Sequence, residues 1–275
     1  MIRIIISALG ILILLFFLQG CKKESGAAKK MYLSKVYQNG LLDEEYFYDA
    51  EGRPYRRNSF NTSQGQSNPA GYRLYQYDSK GLVSKVIDMG NDNAANQVLT
   101  LLYDVEGRPA RIDDRDGAEA LQQYYTFTYN SNGQLTEYTV KNGATDKTLS
   151  LGFYGYDQSG QLNKQIRRYY NGATLVLFDS ATFVISKPIP SEWKYLETIP
   201  LIGLLPANRF IFDMSFESLF IYRADAPPQK TTFTFSNRQY NPQGYLTGQS
   251  ISVKTEYIGP ITFTNTEMKY EYIEL

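Results

Sequence analysis

The chain has 275 residues, with 28 Lys and Arg against 28 Asp and Glu, no histidine and one cysteine. Balanced charge offers no basic excess to neutralise phosphates, which argues against nucleic-acid binding. The missing histidine removes the commonest general base and metal ligand and excludes Ser-His-Asp and Cys-His centres. A lone cysteine allows no intramolecular disulfide, and no zinc, haem or other cofactor site is expected.

The first twenty residues carry one charge, Arg3, before an apolar run from Ile4 to Phe17 broken only by Ser7 and Gly10. A membrane-spanning helix needs roughly 20 apolar residues. A basic start, a short apolar core and small residues after it are the pattern of a removable export signal. Leu18-Gln19-Gly20-Cys21 closes that run and resembles the bacterial lipobox, with Gln at the second position as a departure. The resemblance implies cleavage after residue 20 and acylation of Cys21 by chains such as palmitate. More than one chain is needed for stable attachment, at about 0.8 kcal/mol per buried CH₂. Residues 22–30 are small and polar and read as a tether spanning roughly 30 Å at full extension. In the lipoproteins it resembles, Asp after the cysteine favours retention at the inner membrane. Lys22 stands there instead, which points to the outer membrane of a Gram-negative cell, facing the periplasm or the surface.

The mature part, 31–275, is read as one repeat-built β domain. Aromatics make up 15% of the chain, with 24 tyrosines, and suit a half-buried pleated surface. No long stretch carries a 3.6-residue apolar stripe. The pattern Tyr-[Asp/Asn]-x-x-Gly occurs at Tyr48–Gly52, Tyr77–Gly81, Tyr103–Gly107, Tyr129–Gly133, Tyr156–Gly160 and Tyr240–Gly244. The first five tyrosines stand 29, 26, 26 and 27 residues apart. The chemistry is that of a hairpin. Tyr ends a strand, Asp or Asn starts the turn by accepting backbone N–H bonds, and Gly supplies the positive φ that closes it. Two residues before each of the first five tyrosines stands Tyr46, Tyr75, Leu101, Phe127 or Tyr154, on the same sheet face. Opposite turns are expected at Asn39-Gly40, Asn142-Gly143 and Asn171-Gly172, with longer polar links at 61–68 and 90–97. The fold class is therefore all-β: a long antiparallel up-and-down meander of twelve to fourteen strands, forming a curled or partly closed sheet. Tyr270-Glu271-Tyr272 repeats the strand ending without its turn.

These residues resemble the YD repeats of Rhs and teneurin-type proteins, of consensus Tyr-Asp-x-x-Gly-Arg-Leu. Glu51-Gly52-Arg53-Pro54 and Glu106-Gly107-Arg108-Pro109 come near it. Six repeats are too few for the cargo shells that such proteins build. The whole is also similar to a group of Gram-negative lipoproteins that join a lipobox, a short tether and degenerate YD-like hairpins in a curled, porin-like sheet. That resemblance covers residues 30–170 and 230–275 and implies architecture, not activity.

Residues 179–232 break the period and read as an irregular insert. It holds the only tryptophan, Trp193, two Pro-interrupted stretches, and strand-like runs at 210–216 and 219–222; Pro227-Pro228 ends it. The insert is expected to plug the open end or the concave face of the curled sheet. The alternative is that Trp193, Leu201, Leu204 and Leu205 form a candidate partner patch.

Asp113-Asp114-Arg115-Asp116-Gly117 is the densest acidic cluster, read as a solvated hairpin tip, since a calcium loop needs further ligands. Glu44 is expected to face away from Asp43 and Glu45. Binding tyrosines are expected off the motif, at Tyr72, Tyr124, Tyr125, Tyr169 or Tyr170, because the motif tyrosines are explained by packing. With no catalytic residue assigned, the expected function is a non-enzymatic envelope lipoprotein, a scaffold binding a peptide, glycan or protein. The alternative is a glycan-binding or glycan-processing accessory of an outer-membrane uptake system. An integral porin is disfavoured, because strands such as 41–45 and 73–77 lack a lipid-facing apolar alternation.

Overall fold

A computed structural model describes residues 30–63, 65–160, 162–185, 214–223, 226–256 and 261–275. The expectations for residues 1–20, Cys21, Trp193, Leu201, Leu204 and Leu205 lie outside these. Contacts divide the chain into a unit Leu33–Tyr272, with which the following is concerned, and a second of Met1–Tyr32 and Ile273–Leu275.

The described residues form strands throughout: β1 (Met31–Gln38), β2 (Leu41–Tyr48), β3 (Pro54–Asn61), β4 (Asn68–Tyr77), β5 (Val83–Met89), β6 (Ala95–Tyr103), β7 (Pro109–Asp116) and β8 (Leu121–Tyr129). They continue as β9 (Leu135–Asn142), β10 (Thr148–Tyr156), β11 (Leu162–Asn171), β12 (Thr174–Ile185), β13 (Met214–Arg223), β14 (Ala226–Tyr240), β15 (Leu246–Glu256) and β16 (Thr262–Glu274). Each pairs antiparallel with the next, and the order is circular, β16 lying beside β1. At that seam the Asn39 N–H donates to the Glu267 carbonyl (2.7 Å), the Glu267 N–H to Asn39 Oδ1 (2.8 Å), and Ser34 Oγ to the Glu271 carbonyl (3.2 Å).

The all-β meander expected from the repeat is therefore present, with more strands than the twelve to fourteen foreseen. The surplus comes from the region taken for an irregular insert. Its described residues, 179–185, 214–223 and 226–232, continue the ladder as the end of β12, all of β13 and the start of β14. Pro227 and Pro228 sit inside β14. They lie where the register shifts, between the Ile221–Gln229 and Arg223–Ala226 pairs, and such irregular sites tolerate proline.

Over their described residues the six motif turns follow one construction. The N–H of Asp49, Asp78, Asp104, Asn130 and Asn241 donates to the carbonyl four residues on, at 2.8 to 2.9 Å. The glycine N–H returns to the Asp or Asn carbonyl, and the carboxylate or amide oxygen collects the N–H two residues ahead. Gly107 closes its turn at φ 77°, where a side chain is strained. One consequence of the spacing could not be read in advance. At every motif the register slips by one residue beside the tyrosine, between Phe47 and Tyr48, Gln76 and Tyr77, Leu102 and Tyr103, Thr128 and Tyr129, Gly155 and Tyr156, and Gln239 and Tyr240. This bulge lets the residue two past the glycine and the one three further on share the buried face. Val83 with Val86, Pro109 with Ile112, Leu135 with Tyr138 and Leu162 with Gln165 are buried in this way.

The buried face is layered. Nearest the motif turns lie Tyr48, Tyr77, Tyr103, Tyr129, Tyr156 and Tyr272. Each hydroxyl donates to a carbonyl one hairpin away, of Leu33, Pro54, Val83, Pro109, Leu135 and Leu246, at 2.6 to 2.8 Å. That bond is why the motif carries Tyr and not Phe: buried hydroxyls need partners. Tyr272 makes the same bond as the tyrosines that precede the turns. The next layer holds Tyr46, Tyr75, Leu101, Tyr154 and Tyr270, all buried. Further still the face turns polar, with Glu44, Asp114 and Asp179 buried.

The opposite turns are less uniform than expected. Asn39 (φ 52°) and Gly40 (φ 80°) form the two-residue turn foreseen. At 142–147 the loop is longer: Asn142 Oδ1 caps the N–H of Ala144 and Thr145, and the left-handed residue is Asp146. Between β11 and β12 the loop is Gly172-Ala173, since Asn171 pairs with Thr174. Asp113, Asp114 and Asp116 are not a solvated tip. They lie in β7, and only Gly117–Glu119 turn. Asp113 meets Arg111 and Arg115, whereas Asp114 is 5% exposed and accepts bonds from Gln97 and Gln123 (2.8 Å each). The alternation that sends adjacent residues to opposite faces separates them.

Candidate ligand cleft

The polar layer carries two kinds of arrangement. Around β2–β5 it is a closed ionic cluster. Arg57 reaches Glu44 (3.3 Å), Tyr46 donates to Glu44, and Arg73 meets Asp88 (2.5 Å). As expected from alternation, Glu44 is buried while Glu45 lies on the other face with Lys35 (3.8 Å). Burial raises the Glu44 carboxyl above its ordinary range, against the pull of Arg57 and the Tyr46 hydroxyl. Burial likewise raises Tyr46 and Tyr75. These groups pair with one another, although the buried Arg57 Nε has no hydrogen-bond partner among the described residues.

Between β8 and β12 the polar layer opens into a cleft of about 330 Å³. Tyr125, Tyr138 and Tyr169 present rings, Gln123 and Ser150 polar groups, Val140 and Phe178 apolar surface, and Arg167 a guanidinium; Arg168 contributes to the rim. Local sequence explains the opening. Gly152 on β10 faces Tyr138, and a Cβ there would stand 1.9 Å from the Tyr138 ring. The missing side chain lets Tyr138 lie over β10, with its ring centroid 5.9 Å from Tyr154 and 6.4 Å from Tyr125. A register slip between Arg167 and Arg168 leaves Phe178 as the extra residue of β12. Its ring meets Tyr169 edge-on at 5.7 Å and lies 5.3 Å from the Arg167 guanidinium.

Arg167 is held by Asp179, its Nε donating to both carboxylate oxygens (2.8 and 3.0 Å) and Nη2 to one. This pairing raises the Arg167 pKa, so the group stays charged but locally neutralised. Burial and the nearby Asp114 raise Tyr125, whose hydroxyl accepts from Gln123 Nε2 (2.9 Å). The cleft is thus an aromatic pocket with amide, hydroxyl and guanidinium donors, in which Asp179 offsets Arg167 and Arg168 adds one positive charge at the rim. Among the described residues no cluster of acids, cysteines or histidines is arranged to hold a metal.

Of the five off-motif tyrosines, Tyr125 and Tyr169 reach the cleft. Tyr124 lies on the other face under Arg111 (3.8 Å) and near Lys141 (5.9 Å), Tyr72 lies under Arg56 (4.1 Å), and Tyr170 stands exposed. Of the motif tyrosines, Tyr48, Tyr77, Tyr103, Tyr129 and Tyr156 pack against the core and tie neighbouring hairpins, whereas Tyr240 is exposed. Gln123, Tyr138, Ser150, Arg167 and Phe178 were not singled out. The visible signal was Tyr138 at a position where β5 and β7 have Val86 and Ile112, together with Gly152 beside it.

No protein family and no curated protein matches the chain. The fold is similar to that of a porin-like protein from Bacteroides uniformis, at 14% identity and TM-score 0.53, over 84% of this chain and 89% of that one. A porin-like protein from Bacteroides vulgatus aligns at 10% identity and TM-score 0.38, over 89% of this chain and all of that one. A TcdB2-TccC3-Cdc42 structure aligns at 12% identity and TM-score 0.31, over 84% of this chain but 14% of that one.

Proposed function

We propose that this chain is a non-enzymatic, lipid-anchored module of a Gram-negative outer membrane, whose cleft between β8 and β12 binds a neutral saccharide. The observation that carries the reading is the cleft itself: Tyr125, Tyr138 and Tyr169 around amide and hydroxyl groups, with Arg167 neutralised by Asp179 and Arg168 at the rim. Its volume lies at the small end of the roughly 300–1,000 Å³ usual for small-molecule sites, which suits one or two sugar rings rather than a folded partner. Ring faces stack on the apolar faces of sugars, and the polar groups fix the hydroxyls.

Attachment through Cys21 rests on the lipobox-like residues. Strand-borne insertion fits poorly, because the face opposite the core carries Lys35, Arg56, Arg111, Asp113, Arg115 and Lys141. A lipid-facing Arg or Lys costs about 2–4 kcal/mol at the bilayer midplane.

Calorimetric titration of the purified full chain with a panel of neutral oligosaccharides tests the ligand. At least one should bind, and Tyr169→Ala should weaken it about tenfold without lowering the melting temperature. Silence across the panel, or binding indifferent to Tyr169→Ala, overturns the proposal. Cys21→Ser should move the protein from the membrane to the soluble fraction, and its retention in the membrane would refute the anchor.

A further inference from the structure

The circular order hides an uneven seam. β1 and β16 run antiparallel, and their bonds join Ser34 to Glu271 and Asn39 to Glu267. At Asn39-Gly40 the chain turns back into β2, but β16 begins five residues earlier, at Thr262. Residues Thr262–Thr266 pair with Thr255–Ile251 of β15 on one side. On the other side they run past the end of β1, a stretch of about 17 Å at the strand rise. Ile261 through Asn265 are exposed, Phe263 at 66% and Ile261 at 50%.

An open edge invites pairing, and natural sheets protect such edges with charge, proline, a bulge or a covering loop. This stretch has none among its own residues: Ile261-Thr262-Phe263-Thr264-Asn265-Thr266 is uncharged, rich in strand-forming residues, and in unbroken register with β15.

We infer that this stretch of β16 pairs antiparallel with the same stretch of a second copy of the chain, through a two-fold axis at Phe263. The sequence is self-complementary about that residue. Thr262 meets Thr264 of the other copy, Phe263 meets Phe263, and Ile261 meets Asn265. Threonine pairs and aromatic pairs are among the favourable cross-strand combinations, and no like charges face each other. The length also matches, since a copy of the stretch fills the open edge and ends where the Asn39-Gly40 turn begins. A contact of five residues per chain is smaller than a standard stable interface. The dimer therefore forms where copies are held at high effective concentration, as on a shared membrane surface.

Cysteine cross-linking in membranes tests this. Opposed residues of an antiparallel pair have Cα atoms about 4.5–5.5 Å apart, within disulfide range. Under mild oxidation Phe263→Cys should give a disulfide-linked dimer at least tenfold above the unsubstituted chain, whose one cysteine is Cys21. Thr262→Cys and Thr264→Cys should cross-link weakly alone and strongly when the two variants are co-expressed. Tyr55→Cys, also exposed at 45% but off the edge, is the collision control, with labelling by a soluble maleimide used to normalise for accessibility. Adding Thr264→Pro should abolish the Phe263→Cys dimer. Equal cross-linking at 55 and 263, or a dimer indifferent to Thr264→Pro, would overturn the inference.

Discussion

The two ends of the strands are made by different rules. At one end six turns repeat a single construction, and six tyrosine hydroxyls tie each hairpin to its neighbour by the same bond. At the other, the turns are of several kinds and the buried face carries acids, arginines and amides. The uniform end is a device for stability that tolerates no local invention. The irregular end is free to vary, and the cleft lies there. Even glycine has a different task at each. At Gly107 it permits a left-handed turn, whereas at Gly152 it makes room for the Tyr138 ring.

High pH should break the uniform end most severely. Burial raises Tyr103 to about 12 and raises Tyr129, Tyr156 and Tyr272 as well, while an unfolded tyrosine titrates near 10. Up to pH 10 both states hold the protons. Above it the unfolded chain loses them first, so stability falls as pH rises toward the folded values. Each such tyrosine contributes up to about 1.4 kcal/mol per pH unit. Chemical denaturation between pH 8 and 12 should show a steep loss beginning near 10, and a flat profile there would contradict the layered tyrosine core.

At the polar end, Glu44→Leu leaves Arg57 buried without its carboxylate and should cost about 3–5 kcal/mol. The double variant Glu44→Leu with Arg57→Met should recover most of that loss. In Glu44→Gln, the decline in stability expected as pH rises from 4.5 through the raised Glu44 value should disappear, as read from urea midpoints at pH 4 to 7. Smaller again is the single tie: Tyr129→Phe should cost about 1 kcal/mol, and Tyr77→Phe nearly the same, because the bonds are equivalent. Unequal costs would mean that the repeats are alike in geometry but not in energy.

The two ends also differed in how well they could be read from sequence. Turn chemistry is local, so Tyr48 to Gly52 and its five relatives announced themselves, as did the separation of Glu44 from Glu45. The bulge beside each tyrosine depends on pairing with the next strand, and no residue type marks it. β13 and the start of β14 lack the motif, and strands that pair in sequence order without it looked like an interruption. Arg167 and Asp179 are twelve residues apart and meet only through the β11–β12 register. Tyr125 and Tyr169 were legible as tyrosines without a turn to explain them, but their neighbours Ser150 and Phe178 carried no such mark.

The tie from Tyr48 to Leu33 fixes an orientation as well as a strand. It sets the start of β1 at the uniform end, level with the repeated turns. The aromatic pocket lies toward the far ends of the strands, so side chains there can change without loosening the clamp that holds the first strand.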